Sequence, residues 1–318
     1  MARTRDEETT RLDDAARAGW LYYVAGNTQE EIAAKLRISR QAAQRLVSLS
    51  VSAGLVRVRI DHPIAACLGL ANQLKAKFGL RFAEVVPTDP ASASTTLGIA
   101  EACAAEMERR LRQDAPLVMA IGTGRTLKAA VENLPRMTCE QHRIVSLTGN
   151  IAPDGSASVY NVIFSMADQV RARHYPMPLP VVVSSPEERA LLHEQKVVQS
   201  TLSLAAKADV AFVGIGELGP KAPLLVDGFI TAPEREELAG LGAVGEIVGW
   251  IFDGQGRVLD CPLNERVASA PIPSIARSEV IAVAMGPQKT PAIGAAAAGG
   301  LVNGLVTDEA TAERLLRL

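Results

Sequence analysis

A small helical domain followed by a large α/β domain is the architecture predicted for this chain. Three observations predict it. Beyond residue 80 the sequence alternates short apolar runs with helical stretches, the pattern of a mostly parallel, doubly wound sheet with crossover helices. Several of those runs lack polar alternation, as strands covered on both faces do. The first sixty residues have a different texture, in which short helical periods lead into one basic, alternating run. With 318 residues and 48% hydrophobic content, the chain can bury one large core and one small one. The boundary is placed so that the domains are 1–61 and 62–318.

From the amino end, Leu12, Ala15, Ala16, Trp20, Leu21 and Val24 keep helical spacing and are expected to form an inner stripe, until "AGN" at 25–27 interrupts it. Thr28, with Glu31 three residues later, has capping-box spacing and starts a second helix whose inner stripe is Ile32, Ala33 and Leu36. Arg37 and Ile38 make a corner. Ser39 then caps a third helix, with Ala42, Ala43, Leu46 and Val47 inward and Arg40, Gln41, Gln44 and Arg45 outward. Gly54 ends it, and "LVRVRI" (55–60) alternates as a short strand would, leaving Arg57 and Arg59 exposed.

Two helices across a tight turn, followed by a strand, make a winged helix-turn-helix. The second helix of such a pair enters the major groove of double-stranded DNA, where Arg can meet guanine and Gln adenine in bidentate fashion. Candidate DNA contacts are Thr28, Gln29, Ser39, Arg40, Gln41, Gln44 and Arg45, with Arg57 and Arg59 beside the backbone phosphates. Charge agrees. Between Lys35 and Ile60 stand six basic residues and no acid, although the whole chain carries −2, which leaves about −8 elsewhere. A local cationic face on an acidic body suits docking to phosphates and argues against nonspecific coating of nucleic acid.

A connecting helix over "DHPIAACLGLANQLKAKFGL" is expected to turn Leu68, Leu70, Leu74 and Phe78 inward. Strands are then predicted at 83–87, 116–122, 143–149, 179–185, 208–216, 246–253, 280–286 and 300–308, and helices at about 92–112, 124–134, 187–206 and 289–298. In open parallel sheets ligands collect at the carboxyl ends of strands, where glycine turns admit an anion or a polyol to backbone amides. Three run ends qualify. "AIGTGRTL" offers Gly122, Thr123, Gly124, Arg125 and Thr126; "SLTGNIA" offers Thr148, Gly149 and Asn150 in a second turn; "VGIGELG" offers Gly214, Gly216 and Glu217. Glu246 before one apolar run, Asp253 after it, and Lys289 at the start of a helix add polar candidates.

Other classes are excluded by what the sequence lacks. The four cysteines lie at least 36 residues apart, so neither metal-ligand spacing nor a disulfide framework is present, and a reducing cytoplasm is the expected location. The first residues, "MARTRDEETTRLDD", have no apolar core, and no apolar run approaches the ~20 residues of a membrane span. No cofactor is expected. His62, His142, His174 and His193 are scattered, with His174 expected in a loop or at a helix end, and no Ser/His/Asp spacing stands out.

At this level of detail the chain resembles the SorC family of sugar-responsive transcriptional regulators over nearly its whole length. "LYYVAGNTQEEIAAKLRISRQAAQRL", "IGTGRTL", "GELG", "GAVGEIVGWIFDGQGRV" and "VIAVAMGPQKTPAIGAAAAGGLVNGLVTDEATAERLL" carry the resemblance. It implies a winged helix-turn-helix joined to an effector domain similar in fold to glucosamine-6-phosphate deaminase and ribose-5-phosphate isomerase. It further implies a homodimer or homotetramer responding to a sugar, polyol or sugar phosphate. The family's effector loop falls on Gly122, Thr123, Gly124, Arg125 and Thr126, its second glycine turn on Gly149 and Asn150, and its late acidic and basic positions on Glu246 and Lys289. Arg125 separates two threonines that many members place side by side, and Gly-Asn stands where a glycine pair is frequent. The alternative is a sugar-phosphate isomerase or deaminase with an accessory amino-terminal domain, using Glu246, Asp253 and Lys289.

Overall fold

The computed structural model describes residues 2–56, 64–88, 94–152, 155–156 and 160–318, and the chain divides into two compact units, Met1–Pro63 and Ile64–Leu318. The first holds α1 (Ala2–Tyr23), α2 (Gln29–Leu36) and α3 (Arg40–Ser52). Its core is Ala18, Ile32, Ala33, Ala43 and Val47, with Leu21, Leu36, Ile38 and Leu46 packed around it. The inner stripe of α1 differs from the expected one. Ala15 is buried as expected, but Trp20 and Val24 are exposed, and Ala18 and Gly19 face inward in their place. Small residues win that face because α1 lies close on α3: a methyl group on Gly19 would overlap the buried Ser50 side chain. The predicted strand at 55–60, with Arg57 and Arg59, lies largely outside the described residues, as does His62.

The second unit opens with α4 (Ala65–Phe78), β1 (Phe82–Val86), α5 (Ser94–Leu111), β2 (Val118–Ile121), α6 (Arg125–Glu132), β3 (Met137–Ile151), α7 (Val162–Gln169) and β4 (Val170–Pro180). It continues with α8 (Pro186–His193), α9 (Lys196–Ala205), β5 (Val210–Val213), β6 (Gly216–Glu217), α10 (Pro223–Val226), α11 (Ala232–Gly240), β7 (Ala243–Ile247) and β8 (Trp250–Asp253). It closes with α12 (Pro262–Arg266), β9 (Glu279–Val283), α13 (Thr290–Ala298), β10 (Gly304–Asp308) and α14 (Glu309–Arg317).

Seven strands form one parallel sheet in the order β1-β10-β9-β5-β2-β3-β4. Alternate residues of its central strands enter two different cores. Ala120, Ala211, Val213 and Ala282 join one, and Met119, Ile121, Phe212 and Ile281 join the other. Burial on both faces is why these runs show no polar alternation. Each large side chain so buried contributes about 1.5–3 kcal/mol. From β2 the chain steps outward through β3 to β4, then returns to place β5 on the other side of β2. The crevice at the carboxyl ends of β2 and β5 is therefore the topological switch point.

Several elements depart from expectation. The run at 246–253 is a hairpin, β7 and β8, whose turn Val248–Gly249 has φ of 49° and 90°, and with β6 it makes a separate antiparallel sheet. The strand expected at 179–185 sits upstream as β4, so His174 lies in a strand. Its three prolines suit the edge position, where no neighbour needs their missing N–H. Gly149 and Asn150, expected in a turn, belong to β3. There Gly149 lets the Leu179 and Pro180 carbonyls approach so closely that a methyl group would overlap them. The helix expected at 187–206 is broken into α8 and α9. On α4, Leu68 is exposed, while Cys67, Ala71 and Leu74 are buried.

Candidate functional site

At the switch point the loop after β2 runs beside the loop after β5. The Gly122 N–H donates to the Phe212 carbonyl at 2.8 Å, and a Cβ on Gly214 would stand 3.5 Å from the Thr123 carbonyl. Gly124 is the residue before α6 and holds φ 123°, ψ 165°, a conformation open to glycine. No side chain caps α6, so its first N–H groups, with half-buried Thr123 and Thr126, border the crevice. Arg125, exposed at the first position of α6, donates from Nε to the Tyr160 hydroxyl at 3.2 Å, and that hydroxyl donates to Asp227 Oδ2 at 3.3 Å.

The three-stranded sheet supplies the acids. Gly216 pairs with Glu246 across β6 and β7. The Glu246 carboxylate accepts the Gly249 N–H at 2.8 Å, closing the hairpin on itself. Burial pushes this carboxyl above its ordinary value, while the Gly249 N–H, the Lys289 ammonium and the Gly216 backbone pull the other way. Val248 at the hairpin tip is buried 3.2 Å from where a Cβ on Gly122 would be, which brings the hairpin against the β2 loop. Glu217 accepts the Gly219 N–H. Lys289 stands immediately before α13 and is half-buried; desolvation pushes it below its ordinary value, against the fields of Glu246 and Glu217, with Arg125 adding repulsion. Gly122, Thr123, Gly124, Arg125, Gly216, Glu217, Glu246 and Lys289 thus share one neighbourhood. Thr148, one residue before Gly149, has a buried hydroxyl without a hydrogen-bond partner.

Asp253 belongs elsewhere. It accepts the Gln255 and Arg257 N–H groups at 2.9 Å each and the Arg257 guanidinium, contacts that hold it below the usual carboxylate range and organise the turn after β8. Tyr160 and Asp227 were missed by the sequence reading. They lie 67 residues apart, and only the local "DGF" turn signal hints that Asp227 ends a helix.

In the amino-terminal unit the capping box is present: Thr28 Oγ1 accepts the Glu31 N–H, and Glu31 accepts the Thr28 N–H at 2.7 Å. Arg37 turns the corner in the left-handed region, φ 55°, and Ser39 Oγ accepts the Ala42 N–H at 3.1 Å to start α3. Arg40, Gln41, Gln44 and Arg45 are all exposed on α3, opposite buried Ala43 and Val47. Thr28 and Ser39 are exposed at the two helix starts and Gln29 is half-buried.

No helix among the described residues is long and apolar enough to cross a membrane. Residues 62–317 match the Sugar-bind family model, a sugar-binding domain. The chain is 35% identical over 302 residues to the erythritol catabolism regulatory protein EryD of Brucella abortus (strain 2308), covering 95% of this chain and 96% of that one. It is 33% identical over 311 residues to the transcriptional regulator LsrR of Escherichia coli O139:H28, covering 96% and 95%. The full-length sorbitol operon regulator SorC of Klebsiella pneumoniae superposes with a TM-score of 0.74 at 27% identity, covering 95% and 97%. These relatives are named as regulators, which sets aside the isomerase or deaminase reading. The chain belongs to the SorC family of sugar-binding transcriptional regulators.

Proposed function

We propose that the amino-terminal unit reads an operator through α3 and that the crevice between β2 and β5 holds the effector that controls it. The observation carrying this reading is the convergence of Arg125, Glu217, Glu246 and Lys289 at the switch point of a sugar-binding domain. Carboxylates accept hydroxyl protons, while the ammonium, the guanidinium and the α6 amides donate to sugar oxygens, so the four side chains and one helix end suit a polyhydroxy compound. Gly122, Thr123, Gly124 and Thr126 line the same loop. Gly149 and Asn150 stand near the end of β3 as more distant members of the site.

On the DNA side, Arg40, Gln41, Gln44 and Arg45 have the donors and acceptors for base edges. Thr28, Gln29 and Ser39 suit phosphates near helix starts. Arg57 and Arg59, outside the described residues, remain candidates for the backbone by composition. One short helix makes few base contacts, so the protein acts as a homodimer or homotetramer on paired half-sites, in the cytoplasm. An effector that binds one arrangement of subunits better than another changes operator affinity by that difference.

A thermal-shift screen of sugars, polyols and sugar phosphates on the full chain tests the reading, since a ligand of the folded state raises the melting temperature by mass action. A saturable shift lost in Lys289→Ala is the expected result; a shift that persists at full size in both Lys289→Ala and Arg125→Ala removes these residues from the site.

A further inference from the structure

The two cations of the crevice already have carboxylates. Lys289 lies in the fields of Glu246 and Glu217. Arg125 meets a carboxylate through one phenol: its Nε–H goes to Tyr160 Oη at 3.2 Å, and Tyr160 donates onward to Asp227 Oδ2 at 3.3 Å. Asp227 also acts on the guanidinium directly through its charge. Three acids therefore stand against Arg125 and Lys289. The α6 amino end adds only about half a positive charge, so this constellation remains net acidic.

That balance separates two kinds of ligand. A phosphate monoester brings about −1.5 to −2 charges at neutral pH and is held best by a free guanidinium in a two-point grip. Here the Nε edge of the guanidinium is already taken by Tyr160, which closes the side-on grip, and a phosphate on the remaining nitrogens would lie beside Asp227 and Glu246, both repulsive. An uncharged polyol meets no such cost. Its hydroxyls donate to Glu217 and Glu246 and accept from Lys289 and the α6 amides while Arg125 keeps its present partner.

Resting on the assignment of this crevice as the effector site, we propose that Asp227, acting through Tyr160, neutralises Arg125 and thereby selects an uncharged polyhydroxy effector over a phosphorylated one. Asp227 and Tyr160 are specificity residues of the crevice, contributed by the segments before α7 and after α10.

Calorimetric titration of the full chain with free aldoses and alditols of four to six carbons, each matched with its terminal phosphate monoester, tests this. The free compound of the best pair is expected to bind at least about tenfold tighter than its phosphate. Asp227→Asn and Tyr160→Phe, read by the same ratio, are expected to move it toward the phosphate by about tenfold. A general loss of packing would weaken both ligands without moving the ratio. A phosphate that binds tighter to the natural protein, or a ratio unmoved in both variants, overturns the selection while leaving the effector site standing. Binding of neither member of any pair overturns both.

Discussion

Gly216 and Glu246 face each other across β6 and β7, and the carboxylate lies over the glycine so closely that a methyl group there would overlap it. The atom in the way is the end of a flexible side chain, so the fold can yield and the crevice cannot. Gly216→Ala is therefore expected to push Glu246 out of place, weakening effector binding by about tenfold with little change in melting temperature. Titration and melting of the same preparation check it; a lost fold with retained affinity per folded molecule contradicts it.

The raised pKa of Glu246 gives opposite trends for binding and stability. Burial favours its neutral form, so protonation on acidification begins above the usual carboxylate range. Effector hydroxyls need the ionised form as acceptor, and affinity should fall as pH drops into that window. The same group contributes stability below its unfolded pKa and loses it as pH rises through the folded value, so the unliganded protein gains from acidification in this window. Glu246→Gln should flatten both profiles, measured by titration and by melting across pH.

Gly149 tests packing against binding. Its neighbours are the backbone carbonyls of Leu179 and Pro180, which cannot move without opening β3 from β4. Gly149→Ala is expected to cost about 1–3 kcal/mol in denaturant unfolding. An unchanged unfolding midpoint would show that the two strands separate freely there.

Arg45 is exposed on α3, so its loss leaves the small core intact. Arg45→Ala should weaken operator binding by about 1–3 kcal/mol, about fivefold or more, with an unchanged melting temperature. Anisotropy titration at physiological salt decides it, and equal affinity removes Arg45 from the interface.

Much of this was legible in local sequence. Thr28 with Glu31 and Ser39 with Ala42 are contacts over three residues, and such caps announce helix starts directly. The parallel strands were readable because burial on both faces leaves uninterrupted apolar runs. The same signal could not divide 246–253 into β7 and β8, because Val248 at the turn is β-branched, a residue type that rarely takes positive φ. Trp20 misled for a related reason: a periodic stripe gives spacing, while Gly19 against Ser50 sets which side packs. In the crevice, Arg125, Glu246 and Lys289 were visible as polar residues at run ends. Tyr160 and Asp227 meet only through tertiary folding, and no spacing rule reaches across that distance.

The most direct test joins the two units in one measurement. With a duplex selected by the full chain from a random pool, operator affinity is measured without effector and at saturation, and effector affinity with and without the duplex. Linkage requires the two to change by the same factor, expected to be about fivefold or more. An effector that saturates the crevice yet leaves operator affinity untouched would contradict control of DNA binding from this site.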